Sequence, residues 1–131
     1  MAKTAIEMIT EARTLVGTVA AVGAADQLAA GTAVIIDVRQ VDEWDHGHIA
    51  GSVHTPRGLL ESIADPTSPR HNDELDPTRR TIVVCASGAR AALAAATLKS
   101  MGYEDVAVLD GGLKAWMDAG LPITEHEYAG I

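Results

Sequence analysis

The one cysteine of the chain lies where a nucleophile could be activated. Cys85 ends the apolar run TIVVC and is followed by the small residues ASGA and then by Arg90. A loop that leads from a strand into a helix can turn its backbone N–H groups toward one centre, where they and the helix dipole bind an anion. Helix N-termini and nearby cations also favour the thiolate, which is the nucleophilic form of cysteine. The spacing therefore predicts a nucleophile inside its own anion-binding loop.

A cysteine that follows three apolar residues can also be a small, inert core residue. Two neighbours favour the catalytic interpretation. Gly88 permits tight curvature of the loop, and Arg90 adds an always-protonated donor fork at the start of the next helix.

Three apolar runs of strand length must position this loop: TAVIID, TIVVC and DVAVLD. Because predicted strands alternate with predicted helices, we expect an α/β fold with a largely parallel sheet. The carboxyl ends of parallel strands share one edge, and ligands bind there. Asp37, Cys85 and Asp110 each close one of these runs, so they are expected to meet at that edge.

The remaining elements follow from periodicity and turn residues. Residues 1–17 are predicted to be a helical extension, with an amphipathic helix over 3–16, and residues 18–131 to be a single domain. Within that domain we expect the following: a short strand at 18–22, a helix at 24–31, loops from 38 onward with a brief strand at 52–55, a helix at 57–64, a surface excursion at 65–80, and helices at 89–102 and 111–120.

Composition and charge narrow the classes of function. The formal net charge of −8 opposes binding to nucleic acid or to an anionic membrane, since both need a basic surface. A single cysteine cannot form an internal disulfide, which suits a reducing compartment. The apolar run at residues 15–25 is too short to span a bilayer and has a poor signal-peptide flank. These features predict a cytoplasmic protein.

Three motifs, in the right order, resemble the signature of rhodanese-like sulfurtransferase domains. CASGARA at residues 85–91 resembles the C-x-x-G-x-R active-site loop of the family. DVRQVDEWDHGHIAGSVHTPRG at residues 37–58 looks like its D-V-R…E-[WF]…G-H-I-x-G motif, and LDGGLKAW at residues 109–116 like its closing G-G-x-x-x-W. The resemblance runs from about residue 18 to Pro122.

The resemblance implies a single three-layer domain of about five mostly parallel strands, in which Cys85 carries sulfur as a persulfide. The donor would be thiosulfate or a persulfide, and the acceptor cyanide or a thiol; a protein could also serve as donor or acceptor. No metal and no organic cofactor is implied. The loop amides would hold the terminal sulfur. The substrate-binding residues that the resemblance implies are therefore Ala86, Ser87, Gly88, Ala89, Arg90 and Ala91.

Loop length separates this prediction from phosphatase activity on the same architecture. Phosphatases of this architecture have a C-x5-R loop, whereas four residues separate Cys85 from Arg90 here, which gives a tighter ring suited to one sulfur atom.

Many thiosulfate-active members of the rhodanese-like family carry a basic residue where this chain has Ala86, so a dianionic donor would be held less firmly. Two alternatives stay open: a non-enzymatic module that docks a partner, and a redox sensor that works through oxidation of Cys85.

Several charged residues outside the loop are predicted to support it. Asp37 and Arg39 are expected to support the loop rather than to take part in catalysis. Asp37 would accept hydrogen bonds from loop amides or pair with an arginine at the sheet edge. Glu43 is expected to pair with Arg39 or to cap the turn DEWDHG at residues 42–47. Arg57 is the candidate for a second cation near the thiol, with a plain surface arginine as the alternative.

The aromatic and imidazole side chains are assigned to packing. Trp44 and Trp116 are expected to fill the interior, since the chain contains no phenylalanine. His46, His48 and His54 crowd together, but no cysteine or carboxylate pattern accompanies them, so no metal site is predicted. His48 is expected to bond backbone groups.

Overall fold

The computed structural model describes residues 2–125, which contain one five-stranded sheet. Its strands are β1 Gly17–Val19, β2 Val34–Asp37, β3 Val53–His54, β4 Thr81–Val84 and β5 Val106–Leu109. Their order across the sheet is β1-β5-β4-β2-β3, and each neighbouring pair is parallel. The predicted α/β fold is confirmed. Because β4 is central, Cys85 leaves the sheet at the middle of its carboxyl edge.

Helices cover both faces of this sheet. They are α1 Ala5–Leu15, α2 Ala21–Ala30, α3 Val41–His46, a 3₁₀ turn Arg57–Leu59 that continues into α4 Leu60–Ala64, α5 Ala89–Ser100 and α6 Gly112–Asp118. The buried residues of α1, α4 and α5 share one core cluster, and those of α2 and α6 share the other. The domain therefore has three layers. No helix within residues 2–125 is long and apolar enough to cross a membrane.

The alternation of side chains along β4 decides where the thiol points. Ile82 and Val84 pack in the core under α2 and α6, whereas Val83 and Cys85 pack in the core under α5. Successive strand residues face opposite sides of a sheet. The sulfur of Cys85 is thus directed toward the first turn of α5.

Small side chains allow α5 to approach both the sheet and the N-terminal helix. Ala91, Ala92, Ala94 and Ala95 are each 0% exposed, and Ala12 of α1 is 4% exposed in the same core. Alanine has high helix propensity and leaves room for close packing. α1 therefore packs on α5 of its own chain. Residues 126–131 of the predicted domain lie outside the described residues.

Two elements differ from the sequence-based expectations. α3 lies in a segment that was expected to be loop, because a helix of 6 residues shows too little periodicity; a capping box formed by Gln40 and Glu43 begins it. β1 is shorter than expected and α2 begins at Ala21, since Ala21 and Ala24 are buried against the sheet. The predicted end of α2 at Gly31 is confirmed by its φ of 73°.

Candidate active site

The thiol of Cys85 lies under the loop formed by residues 85–91, named here the cysteine loop. Its Sγ accepts hydrogen bonds from the backbone N–H of Gly88 at 3.0 Å and of Ala91 at 3.3 Å. Gly88 is the N-cap of α5 and has a φ of 119°, which glycine adopts without a steric penalty. Cys85 is 1% exposed. The sulfur is therefore shielded from bulk water and solvated by main-chain donors.

The first turn of α6 holds the cysteine loop from its outer side. The N–H of Leu113 donates to the carbonyl of Cys85 at 2.8 Å, and that of Lys114 to the carbonyl of Ala86 at 3.2 Å. A Cβ on Gly112 would lie 2.5 Å from the Ala86 carbonyl oxygen, so only glycine allows this approach. These two carbonyl groups point away from the sulfur toward α6. The N–H groups of Gly88 and Ala91, further along the loop, point toward the sulfur.

Arg90 is bound by Glu43 across the site. Its guanidinium donates to both carboxylate oxygens of Glu43, at 2.7 and 2.9 Å. The hydrogen bonds from Arg90 lower the pKa of Glu43 to about 2. The pKa of Arg90 is raised, chiefly by its hydrogen bonds to Glu43 and to a smaller extent by the negative charges of Cys85 and Asp37. Arg90 thus joins the cysteine loop to α3, and its donor fork is occupied by a carboxylate rather than directed at the thiol.

Glu43 therefore has two partners, one expected and one not. Its Oε1 accepts from the backbone N–H of Gln40 at 3.1 Å, which confirms the predicted cap. Its side-chain partner is Arg90 and not Arg39, so the alternative pairing with Arg39 is wrong.

Asp37 and Arg39 form a buried ion pair behind the loop. Arg39 Nε lies 3.0 Å from Asp37 Oδ1, Nη2 lies 2.8 Å from Oδ2, and Nη2 also donates to the Gly47 carbonyl at 2.8 Å. Asp37 is 0% and Arg39 5% exposed. A buried pair of this kind holds its elements in place because removal of either partner leaves a buried charge. The contacts correspond to the expected support from an arginine at the sheet edge.

The structure does not bring Arg57 to the cysteine loop. Its guanidinium donates to both carboxylate oxygens of Glu61 at 3.1 Å and to Thr97 Oγ1 at 3.2 Å. Thr97 lies two turns along α5 from Arg90, a rise of about 10 Å. Within the described residues Arg57 has no hydrogen bond to the loop, so the expectation of a second cation at this position needs correction. Arg57 instead lines a cavity together with residues of α1 and α5, among them Ala12 and Thr97.

Another arginine reaches the loop from α1. Arg13 lines a cavity of about 180 Å³ together with Thr18, Ser87, Gly88 and Asp110. The expectation that Asp110 lies at the same edge as Cys85 is confirmed by this cavity and by the parallel register of β4 and β5. Sequence reasoning missed Arg13, because the helix that carries it was assigned to an extension outside the domain.

The histidines pack and bond to the backbone. Trp44 stacks on His48, with ring centroids 3.5 Å apart, and on His54 at 4.6 Å. The Nδ1 atom of His48 lies 3.0 Å from the Trp44 carbonyl, as expected of a residue that bonds backbone groups. Trp116 is 2% exposed in the core. Among residues 2–125, no group of three or more histidine, cysteine or acidic side chains could hold a metal ion.

Replacing Glu43 with glutamine is expected to flatten the acid dependence of stability. The pKa of Glu43 falls from 4.5 to about 2 on folding, so the carboxylate stabilises the folded protein above pH 4.5, and this contribution is lost as the pH falls toward 2. Urea unfolding at several pH values should show wild type losing more stability than Glu43→Gln over that interval. At neutral pH the variant should be less stable by about 1 kcal/mol.

Glu11→Gln is the matched control, because it breaks an exposed ion pair with Lys3 in which both side chains are 58% exposed. Its effect is expected to stay below about 0.5 kcal/mol. Parallel pH profiles for wild type and Glu43→Gln would contradict the assignment of the Glu43–Arg90 pair.

Comparison with known proteins identifies the family. The model of the Rhodanese-like domain matches residues 21–119. The chain is 33% identical over 94 residues to a Sulfurtransferase of Allochromatium vinosum, covering 72% of this chain and 80% of that protein. It is 35% identical over 82 residues to the Putative sulfur carrier protein YrkF of Bacillus subtilis, covering 63% of this chain but 40% of the relative. The chain thus spans less than half the length of some curated relatives it matches.

A solved structure shares nearly the whole fold. It is that of RPA3614 from Rhodopseudomonas palustris, described as a protein of unknown function and possible tyrosine phosphatase. The TM-score is 0.87 at 35% identity, with 95% of this chain and 96% of that chain covered. This coverage and the match of the family model to most of the chain agree with the motifs around Cys85. The chain belongs to the rhodanese-like domain family.

Proposed function

We propose that this protein is a sulfurtransferase that transfers sulfane sulfur through a persulfide on Cys85. The observation that carries the proposal is the pair of N–H groups, from Gly88 and Ala91, that donate to Sγ. Main-chain donors directed at a sulfur stabilise negative charge on it at no cost of reorganisation. A structural thiol in an apolar core would not need such donors.

In the first half-reaction the Cys85 thiolate attacks the outer sulfur of the donor. The S–S bond of the donor breaks, and its electron pair leaves with the remainder, which is sulfite from thiosulfate or a thiolate from a persulfide. The outer sulfur of the new persulfide lies about 2 Å beyond Sγ. It therefore enters the region bounded by the amides of residues 86–91, which take over the stabilisation of its charge.

In the second half-reaction an acceptor thiolate or cyanide attacks this outer sulfur. The Cys85 thiolate is the leaving group, and the N–H groups of Gly88 and Ala91 stabilise it again. Glu43 holds Arg90 at the end of the loop throughout, while the Asp37–Arg39 pair supports the sheet edge behind it. The cycle needs no metal, no organic cofactor and no external oxidant. A reduced thiol of this kind suits the cytoplasm.

The loading experiment tests this proposal on the wild-type protein. After incubation with thiosulfate or glutathione persulfide, intact mass spectrometry should show one added sulfur atom, and cyanide should remove it as thiocyanate. Prior alkylation of Cys85 is the control and should prevent the addition. If no donor adds a cyanide-removable sulfur, the proposed function is wrong.

Phosphatase activity is expected to be absent. The guanidinium of Arg90, which would have to bind a phosphate dianion, is occupied by both oxygens of Glu43. The loop also has four residues between Cys85 and Arg90, which leaves a narrower ring than a tetrahedral oxyanion needs. Assay with p-nitrophenyl phosphate should give no hydrolysis above that of alkylated protein. Cys85-dependent hydrolysis would favour phosphoryl transfer instead.

The structure gives less support to the two other interpretations. A redox-sensing thiol often lies next to a resolving cysteine, and Cys85 is the one cysteine of the sequence. A module that only docks a partner has no use for donors directed at Sγ. Ready sulfur loading of Cys85 without any partner protein is therefore expected.

A further inference from the structure

We propose that the cavity between α1 and the cysteine loop binds an amino-acid persulfide as the sulfur donor. Arg13 would bind the carboxylate of this donor and Asp110 its ammonium group. Cysteine persulfide is the smallest compound of this class. The inference rests on the proposed function, because it assigns the donor of the same Cys85 site.

Arg13 is the available cation at this site. It is exposed and has no hydrogen-bond or ion-pair partner within residues 2–125. The other cations in the cysteine loop or lining the cavities beside it are already paired with carboxylates: Arg39 with Asp37, Arg90 with Glu43, and Lys114 with Asp118. An unpaired guanidinium is well suited to a carboxylate, which it binds in bidentate fashion.

Arg13 lies next to Gly88, a residue that contacts the thiol directly. A Cβ placed on Gly88 would lie 3.8 Å from Arg13 Nη2. The N–H of the same Gly88 donates to Cys85 Sγ at 3.0 Å. A small donor bound to the guanidinium therefore has its sulfur end within reach of the cysteine loop.

Asp110 gives the cavity its second charge. Its N–H donates to the Val19 carbonyl at 2.9 Å, which fixes the backbone at the end of β5. Its exposed carboxylate lines the same cavity as Arg13 but lies more than ion-pair distance from it, and it has no partner among the described residues. Thiosulfate, a dianion, would be attracted by Arg13 and repelled by Asp110. A ligand head group with both an ammonium and a carboxylate satisfies both residues.

The cavity volume agrees with a ligand of this size. At about 180 Å³ it is smaller than the pockets that hold drug-sized ligands, which begin at roughly 300 Å³. In the reaction, the Cys85 thiolate attacks the outer sulfur of the persulfide. The S–S bond breaks, the amino-acid thiolate leaves with the electron pair, and the outer sulfur stays on Cys85. No oxidant or reductant enters the step.

The test compares three persulfides in the loading half-reaction, measured by intact mass after rapid quenching. Cysteine persulfide carries both charged groups, 3-mercaptopropionate persulfide lacks the ammonium, and cysteamine persulfide lacks the carboxylate. Arg13→Gln should raise the half-saturating concentration about tenfold for the two carboxylate donors and leave cysteamine persulfide unchanged. Asp110→Asn should weaken the two ammonium donors to a similar degree and leave 3-mercaptopropionate persulfide unchanged or improved. Maximal loading rates should stay within about twofold.

Two further variants separate recognition from folding. Arg13→Lys should recover part of the lost affinity, because it restores the charge but not the bidentate geometry. Arg70→Ala removes an exposed arginine elsewhere on the surface and should change no donor. If Arg13→Gln and Asp110→Asn affect all three donors equally, or none, the inference is overturned while sulfur loading on Cys85 upholds the proposed function. If no donor loads Cys85 in the wild type, both are overturned.

Discussion

Replacing Cys85 with serine is expected to abolish sulfur transfer, with a loss of at least about a thousandfold in turnover. An alkoxide forms far less readily than a thiolate, and an oxygen at this position cannot carry a sulfane sulfur as a persulfide. Thiocyanate formation from donor and cyanide measures the turnover, and intact mass measures the adduct. The adduct should be absent from the variant.

The same variant controls for folding. Serine is close in size to cysteine, and its hydroxyl can still accept the N–H of Gly88 that now donates to Sγ. Thermal unfolding of Cys85→Ser is therefore expected to remain cooperative, with a loss of about 1 kcal/mol or less. A folded serine variant that still gains a cyanide-removable sulfur would exclude Cys85 as the carrier.

Gly112→Ala is expected to disturb the site from outside the cysteine loop. The new Cβ would lie 2.5 Å from the Ala86 carbonyl oxygen and 2.6 Å from that of Cys85, at a φ of +64°. Because both contacts are to backbone, the loop must shift. We expect a loss of roughly 2–5 kcal/mol from the backbone conformation and the overlap together. Activity should fall about a hundredfold, since the shifted loop would no longer align the Cys85 thiolate with the donor sulfur.

Gly120→Ala separates the two causes. Gly120 has a similar φ of +75°, but nothing lies within 4 Å of its added Cβ. This variant should lose only about 1–2 kcal/mol and keep its activity, because the conformational cost is present without the overlap. Urea unfolding and thiocyanate formation on both variants give the comparison. Equal activity in the two would show that α6 does not position the loop.

Local signals in the sequence were enough to predict the sheet and the nucleophile. The apolar runs that end at Asp37, Cys85 and Asp110 are short and continuous, as expected for strands buried on both faces. Gly88 and the alanines after it predict a tight turn into a helix. These features depend on neighbours in the chain, so they can be recognised without the fold. The same is true of Gly31 as the end of α2.

What the tertiary structure alone decided are the partners of the charged side chains. Arg90 and Glu43 are 47 residues apart in the chain and meet because β2 and β4 are adjacent in the sheet. The packing of α1 on α5 brings Arg13 to the cysteine loop, while the position of α4 takes Arg57 away from it. An arginine can reach many carboxylates, and the sequence does not rank them. Strand order and helix packing select one, because they fix which side chains lie within the few ångströms over which an ion pair forms.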